Sequence, residues 1–108
     1  MAWYVYLLQF VSGLLVTNGI PHFVKGLCGE RFQSPFARPS GIGLSSPLVN
    51  VYWGFANLAG GAALLAHFTP TSLAGWALVG AGALASGSFL ARHLGKLHAT
   101  PSATRSQS

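Results

Sequence analysis

Residues 39–91 read PSGIGLSSPLVNVYWGFANLAGGAALLAHFTPTSLAGWALVGAGALASGSFLA and contain no Asp, Glu, Lys or Arg. The polar break HFTPTS, residues 67–72, divides this stretch into two apolar segments joined by a tight turn. A membrane-spanning helix needs about 20 mostly apolar residues to cross the hydrocarbon core of a bilayer. The stretch therefore predicts two consecutive spans, a transmembrane hairpin.

Composition also places the chain in a bilayer rather than in water. Its 108 residues suffice for one domain, and they are 6% charged and 51% hydrophobic, whereas soluble domains carry about 25% charged residues. So few charges cannot cover the large surface of a small soluble domain. The net charge of +5 comes from basic residues at segment ends without a basic, aromatic-lined stripe, so we expect no nucleic-acid partner.

The N-terminal segment predicts a further span. Residues 2–20 carry no charge, and Trp3, Tyr4 and Tyr6 at their start are typical of an interfacial aromatic belt. The alternative, a secretory signal peptide, begins with positive charge, and the first basic residue of this chain is Lys25. We therefore interpret the segment as a retained helix.

Pro21 leaves two possibilities for the end of this helix. Because proline has no amide hydrogen, either the helix kinks there and continues to about residue 27, or a second short helix begins. Residues 2–18 alone would span only about 25 Å, which is short for a bilayer. We therefore predict the kinked, continuing helix.

The second helix has a clear start. Ser45 or Ser46 offers a capping hydroxyl, and Pro47 suits the first helical position. The preceding loop is rich in Pro and Gly, and we expect it to lie on the membrane interface with Phe32 and Phe36 among the headgroups.

The predicted fold class is an all-α membrane protein with three transmembrane helices. The helices cover about residues 2–27 with a kink at Pro21, residues 47–67 and residues 72–93. Residues 1–97 form a single domain that includes the interfacial loop 29–46. Residues 98–108 lack apolar periodicity and are predicted to be a disordered cytoplasmic tail.

Basic residues predict the orientation. They fall in the first loop or after the third helix, and they are Lys25, Arg31, Arg38, Arg92, Lys96 and Arg105. Three spans place all of them on one side, so the N-terminus is expected outside and the C-terminus inside.

NGIPHF at residues 18–23, followed by a Pro/Gly loop and SSP at 45–47, resembles small bacterial membrane proteins. No named family or activity follows from that resemblance; we expect an integral protein of the bacterial inner (plasma) membrane.

Small residues recur four apart on the second and third helices and favour close helix packing. They form the pairs Ala56/Gly60, Ala59/Ala63 and Ala62/Ala66, and the rows Ala77/Ala81/Ala85 and Ala83/Gly87/Ala91. One interpretation is packing within the hairpin. The other leaves one row for a second subunit, so that the protein is a homo-oligomer or part of a larger membrane protein complex.

A polar stripe is the main candidate site. Residues 46, 50, 53, 57 and 61 share one helix face, and Asn18 and His22 share a face of the first helix. The ligand-binding candidates are Asn18, His22, Asn50, Trp53 and Asn57. The set is either an interhelical hydrogen-bond network or a polar pocket open to the cytoplasmic leaflet, where a lipid headgroup, a quinone-like molecule or a translocated solute binds.

The loop offers a second candidate, a site for the anionic headgroup of a membrane lipid. Flexible backbone precedes a helix N-terminus, where anions are favoured, and the residues concerned are Lys25, Arg31, Arg38, Ser45 and Ser46. The alternative is ordinary helix capping with interfacial anchoring.

Catalytic and metal sites are not predicted. Glu30, the one acidic residue, lies near Lys25 and is expected to pair with it. A catalytic carboxylate would need a second poised ionisable group. His22 and His93 could serve as axial haem ligands, but no further signature supports haem, and His93 and His98 fall on different faces as tail residues. We predict no metal and no cofactor.

These observations predict a small, non-catalytic integral membrane protein. It is expected to act as an accessory or structural subunit of a larger membrane complex or as a homo-oligomer, with a polar intramembrane patch for a lipid or small ligand. The alternative is a small transporter or channel subunit whose path is lined by Asn18, His22, Asn50 and Asn57.

Overall fold

The computed structural model describes residues 2–99 and contains three long helices and one short strand pair. In chain order the elements are α1 (Trp3–Leu27), β1 (Phe32–Gln33), β2 (Leu44–Ser45), α2 (Pro47–His67) and α3 (Leu73–His98). At about 1.5 Å per residue, each helix is long enough for a bilayer core of roughly 30 Å. All three are long and apolar enough to cross a membrane, which confirms the predicted number of helices.

The helix ends follow from local chemistry. α1 continues through Pro21, so no second short helix begins there. The hydroxyl group of Ser46 caps α2 by accepting a hydrogen bond from the amide of Val49 at 3.2 Å, with Pro47 at the first helical position. α3 differs from the prediction at its C-terminal end, because it passes the expected end at His93 and includes His98.

The loop between α1 and α2 contains structure that the sequence did not predict. β1 and β2 pair antiparallel, with Phe32 opposite Ser45 and Gln33 opposite Leu44. The pairing folds the loop back over the helix ends. Phe32 is 5% exposed, so the expectation that its ring lies among lipid headgroups is wrong for Phe32, whereas the ring of Phe36 is exposed.

α1 is the central helix of the bundle. It packs along both α2 and α3, whereas α2 and α3 make almost no contact with each other in the described part of the chain. The expectation that the hairpin packs internally through its alanine rows is therefore wrong. Ala59, Ala63, Ala77, Ala81 and Ala85 are exposed instead.

Glycines bring the helices together. A Cβ atom at Gly13 would run into the carbonyl group of Val79 on α3, and a Cβ atom at Gly82 would run into the carbonyl group of Phe10 on α1. On the other seam, a Cβ atom at Gly26 would lie 2.6 Å from the carbonyl oxygen of α2's first residue. Backbone-to-backbone approach of this kind is how helices associate in lipid, where apolar burial gives little drive.

The interior of the bundle is polar and the exterior apolar. Apart from Pro70, Phe32 is the only buried apolar side chain between residues 2 and 99. Nine polar side chains are buried within the same range, namely Gln9, Ser12, His22, Gln33, Ser34, Ser45, Asn50, Asn57 and Ser86. Large side chains such as Leu84 and Phe55 face outward. This arrangement fits an integral membrane protein, because lipid accepts apolar surface and buried polar groups must find partners inside.

Candidate functional site

Asn50 is the centre of the polar network at the loop end of the bundle. Its side chain is 0% exposed, and its amide group donates to the carbonyl oxygens of Phe32 (3.2 Å), Ser45 (3.3 Å) and Ser46 (3.1 Å). Its Oδ1 atom lies 2.9 Å from Nδ1 of His22. One side chain therefore ties α1, the strand pair and the start of α2 together, as the structural interpretation of the stripe predicts.

The bond to Asn50 assigns the tautomer of His22. Because the amide nitrogen of Asn50 already donates to carbonyl groups, its Oδ1 must accept, and Nδ1 of His22 carries the hydrogen. Nε2 of the neutral ring is then a hydrogen-bond acceptor, and it has no hydrogen-bond partner within residues 2–99. His22 itself is 5% exposed and lines a cleft.

A second amide pair lies deeper in the bundle. Asn57, 4% exposed, donates to the carbonyl of Trp53 at 2.9 Å and accepts from Nδ2 of Asn18 at 3.1 Å. Both the nitrogen and the oxygen of the buried Asn57 amide therefore have a hydrogen-bond partner. It leaves Oδ1 of Asn18 without a hydrogen-bond partner in the described chain, beside the same cleft that His22 lines.

The cleft lies between α2 and α3 and has a volume of about 340 Å³. α1 contributes Asn18 and His22, α2 contributes Trp53, and the remaining lining comes from the loop and the last turns of α3. Pockets for small molecules generally start at about 300 Å³. The space exists because α2 and α3 diverge on either side of α1 instead of packing together.

Trp53 lines this cleft and carries an unsatisfied donor. Its Nε1 atom is buried and has no hydrogen-bond partner among residues 2–99. The indole ring meets the ring of Phe36 edge-on, with centroids 5.1 Å apart. Buried indole N–H groups usually have a hydrogen-bond acceptor, so the lack of one here is unusual.

Two histidines of α3 hold the loop over the cleft. Nε2 of His93 lies 2.6 Å from the carbonyl oxygen of Gly41, and Nε2 of His98 lies 3.2 Å from Oε1 of Gln33. Gly41 has φ +72°, a left-handed conformation that favours glycine. The expectation that both histidines are tail residues is wrong, because both lie on α3 against the loop.

Aromatic rings complete the walls. The ring of Phe32 meets that of His22 edge-on at 5.3 Å, and the rings of Phe89 and His93 stack at 5.5 Å and 7°. Phe89 and His93 belong to the lining together with Leu90 and Leu94. Sequence reasoning missed this contribution of α3, although Leu90, Leu94 and Leu97 continue a helical spacing past Arg92.

The predicted headgroup residues are largely engaged with other protein groups. Lys25 pairs with Glu30 at 2.8 Å, as expected. Ser46 caps α2, and the hydroxyl of Ser45 shares a hydrogen bond with that of Ser34. Arg31 and Arg38 are exposed on the loop.

No group of three or more His, Cys, Asp and Glu side chains that could hold a metal ion occurs in the described range, 2–99. Cys28 is a free, exposed thiol. Comparisons with protein-family models, with curated proteins and with solved structures found no match.

Proposed function

We propose that this protein is a non-catalytic membrane subunit that holds an amphipathic ligand in the cleft between α2 and α3. The observation that carries the proposal is a set of polar groups without hydrogen-bond partners on residues that line one cavity. Nε2 of His22, Oδ1 of Asn18 and the indole N–H of Trp53 all belong to residues that line it, and none has a hydrogen-bond partner among residues 2–99.

The lining favours one class of ligand. Two acceptors, on His22 and Asn18, favour a hydrogen-bond donor on the ligand, and a hydroxyl group is such a donor. The rings of Phe32, Trp53 and Phe89 favour a flat ring. The ligand is thus a ring with oxygen substituents, at least one of them a hydroxyl, on an apolar tail: a quinol-like molecule that reaches the cleft from the bilayer.

A binding role agrees better with the side chains than an enzymatic one. The one side-chain carboxylate of the sequence, on Glu30, is paired with Lys25. The lone thiol, on Cys28, lies exposed on the loop side, outside the cleft. Asn50 and Asn57, which the transport alternative needs along its path, have their amides occupied by hydrogen bonds inside the bundle, so the binding role is preferred over transport.

The placement of the protein is part of the proposal. α1 ends, α2 begins and α3 ends beside the same loop, so Lys25, Arg31, Arg38, Arg92 and Lys96 share one end of the bundle. By the positive-inside rule this end is cytoplasmic and the N-terminus is outside. The exposed alanine rows of α2 and α3 support docking to a second copy or to a larger membrane complex.

Thermal unfolding with a quinol tests the binding role. The probe is decylubiquinol, kept reduced, added to the full chain in detergent micelles. Binding to the folded state at a hundredfold excess over the Kd stabilises by about 2.7 kcal/mol, so the midpoint should rise. Decylubiquinone, which has no hydroxyl group to donate to His22, should give a smaller rise.

Two matched Leu→Phe variants separate binding in the cleft from general effects of the probe on the micelle. Leu90 lines the cleft, and Leu90→Phe fills part of it; Leu84 is 73% exposed on the same helix, and Leu84→Phe leaves the cleft open. The quinol should stabilise Leu84→Phe as it does the wild type and should stabilise Leu90→Phe much less. Equal stabilisation of both variants, or none of the wild type, contradicts the proposal.

A further inference from the structure

A row of side chains on α3 changes from apolar to basic toward the loop end. Leu84, Ser88, Arg92 and Lys96 are spaced four apart and so share one face of the helix. Ser88, Arg92 and Lys96 line a second, shallow cleft of about 520 Å³, together with Phe89 and His93. This basic cleft is separate from the cleft between α2 and α3, called the quinol cleft below, although the stacked rings of Phe89 and His93 form a wall of both.

The charges of this cleft have no counterion within the sequence. Glu30 is its one acidic residue, and Lys25 binds that carboxylate at 2.8 Å. Arg92 and Lys96 are exposed, and no side-chain carboxylate is left to pair with them. Another molecule can therefore supply the compensating negative charge without competition from a side-chain carboxylate of this sequence.

The position of the row matches the profile of a phospholipid. Arg92 and Lys96 lie in the last turns of a membrane-spanning helix, where basic side chains reach the headgroup layer. Leu84 lies on α3 about 12 Å from Arg92 in the direction of the N-terminal end of the helix, and it is 73% exposed. Ser88, between them, offers a hydroxyl donor at the depth of a lipid's glycerol region.

We infer that this face of α3 binds one anionic phospholipid, with its phosphate between Arg92 and Lys96, its glycerol region at Ser88 and an acyl chain along Leu84. The guanidinium of Arg92 suits a phosphate because it donates two parallel hydrogen bonds. This site differs from the headgroup site that the sequence predicts on the loop, where Lys25, Ser45 and Ser46 are engaged within the protein. It does not depend on the quinol cleft.

Native mass spectrometry of the full chain from detergent micelles tests the inference. The probes are phosphatidylglycerol, which is anionic, and phosphatidylcholine, which has no net charge. The wild type should retain one phosphatidylglycerol in preference to phosphatidylcholine. Arg92→Gln/Lys96→Gln should bind phosphatidylglycerol about thirtyfold more weakly, because each basic side chain contributes about fivefold near an anionic headgroup.

The matched control is Arg31→Gln/Arg38→Gln, which removes the same charge from exposed positions on the loop. It should keep the wild-type affinity for phosphatidylglycerol. Equal losses in the two double variants would overturn the inference, since they would indicate general attraction to a positive surface. Displacement of the lipid by millimolar inorganic phosphate, or retention of an acidic polypeptide in place of lipid, would also overturn it. Circular dichroism of both variants verifies that they fold.

Discussion

Nδ1 of His22 donates a hydrogen bond to Oδ1 of Asn50 over 2.9 Å, and this pair joins α1 to the first turn of α2. The same amide group holds the carbonyl oxygens of Phe32 and Ser45. The pair is thus both the link between two helices and the anchor of the loop. His22 also lines the cleft, so the structural network and the candidate site share one side chain.

Replacing Asn50 with Leu should destabilise the protein strongly. The substitution removes all side-chain hydrogen bonds of Asn50 at once. Nδ1 of His22 loses its acceptor, and the carbonyl groups of Phe32 and Ser45 lose the donor that Asn50 supplies from a site with no exposure. Buried groups left without partners cost about 1–3 kcal/mol each, so we expect a loss of about 2–4 kcal/mol in the free energy of unfolding. Tyr52→Leu, at an exposed neighbouring position, is the control. A similar stability of the two variants in denaturant titration would contradict the central role of Asn50.

Gln9→Leu should behave differently from Asn50→Leu, although Gln9 is also buried. Its amide nitrogen donates one hydrogen bond, to the carbonyl of Phe68 at 3.0 Å, and its Oε1 is buried without a partner in the described chain. The substitution loses one bond and removes one unsatisfied acceptor, so the two effects offset. We expect a change within about 1 kcal/mol of the wild type by the same titration. A loss as large as that of Asn50→Leu would show that Gln9 has a further role.

Two glycines of α3 should respond in opposite ways to alanine. A Cβ atom at Gly82 meets the backbone of Phe10, whereas a Cβ atom at Gly80 meets nothing within 4 Å. Gly82→Ala should therefore push α3 away from α1 and destabilise by about 1–3 kcal/mol. Gly80→Ala should be neutral or stabilising by up to about 1 kcal/mol, because alanine is the better helix former. If the two variants melt at the same temperature, the close seam between α1 and α3 is not as described.

His93→Phe should loosen the loop without unfolding the bundle. The ring nitrogen of His93 holds the carbonyl of Gly41 at 2.6 Å, and phenylalanine keeps the stack with Phe89 but not this bond. We expect backbone amides around residues 38–44 to exchange hydrogen about tenfold faster, which corresponds to the loss of one net hydrogen bond. His67 is exposed at the end of α2 that lies away from this loop. The control variant His67→Phe should therefore leave hydrogen exchange in the loop unchanged. Unchanged exchange in His93→Phe would mean that the strand pair alone holds the loop.

The helix starts could be predicted from the sequence because local chemistry determines them. Ser46 and Pro47 form a cap and a first helical residue whatever the helix packs against. The end of α3 could not be predicted in the same way. Gly95 and Lys96 look like the start of a polar tail, and it is the contact of His98 with Gln33 on the loop that accompanies the extra turn.

The packing faces were harder to predict than the spans. In a soluble protein the apolar face of a helix points inward. In lipid both faces of a helix are apolar, so hydrophobic periodicity no longer indicates which face is buried. In the sequence alone, alanine rows and glycines both favour close helix packing. The structure buries Gly54, Gly61, Gly75 and Gly82 against α1 and leaves most of the alanines outside. The polar residues on helix faces, Asn50 and Asn57, were the better guide to the interior.

The central position of α1 limits how the length of this chain can change. One inserted residue rotates everything beyond it by about 100° relative to what precedes it. An insertion between Gly13 and Gly19 would rotate the part of α1 before it relative to the part after it. Either the contact of Gly13 with α3 or the contact of Gly19 with α2 would then be lost. α2 and α3, which hardly touch each other, could not compensate by moving as a pair. Lipid-facing residues of this bundle can therefore be exchanged for other apolar residues, whereas the spacing of residues along α1 is fixed by its contacts with both neighbouring helices.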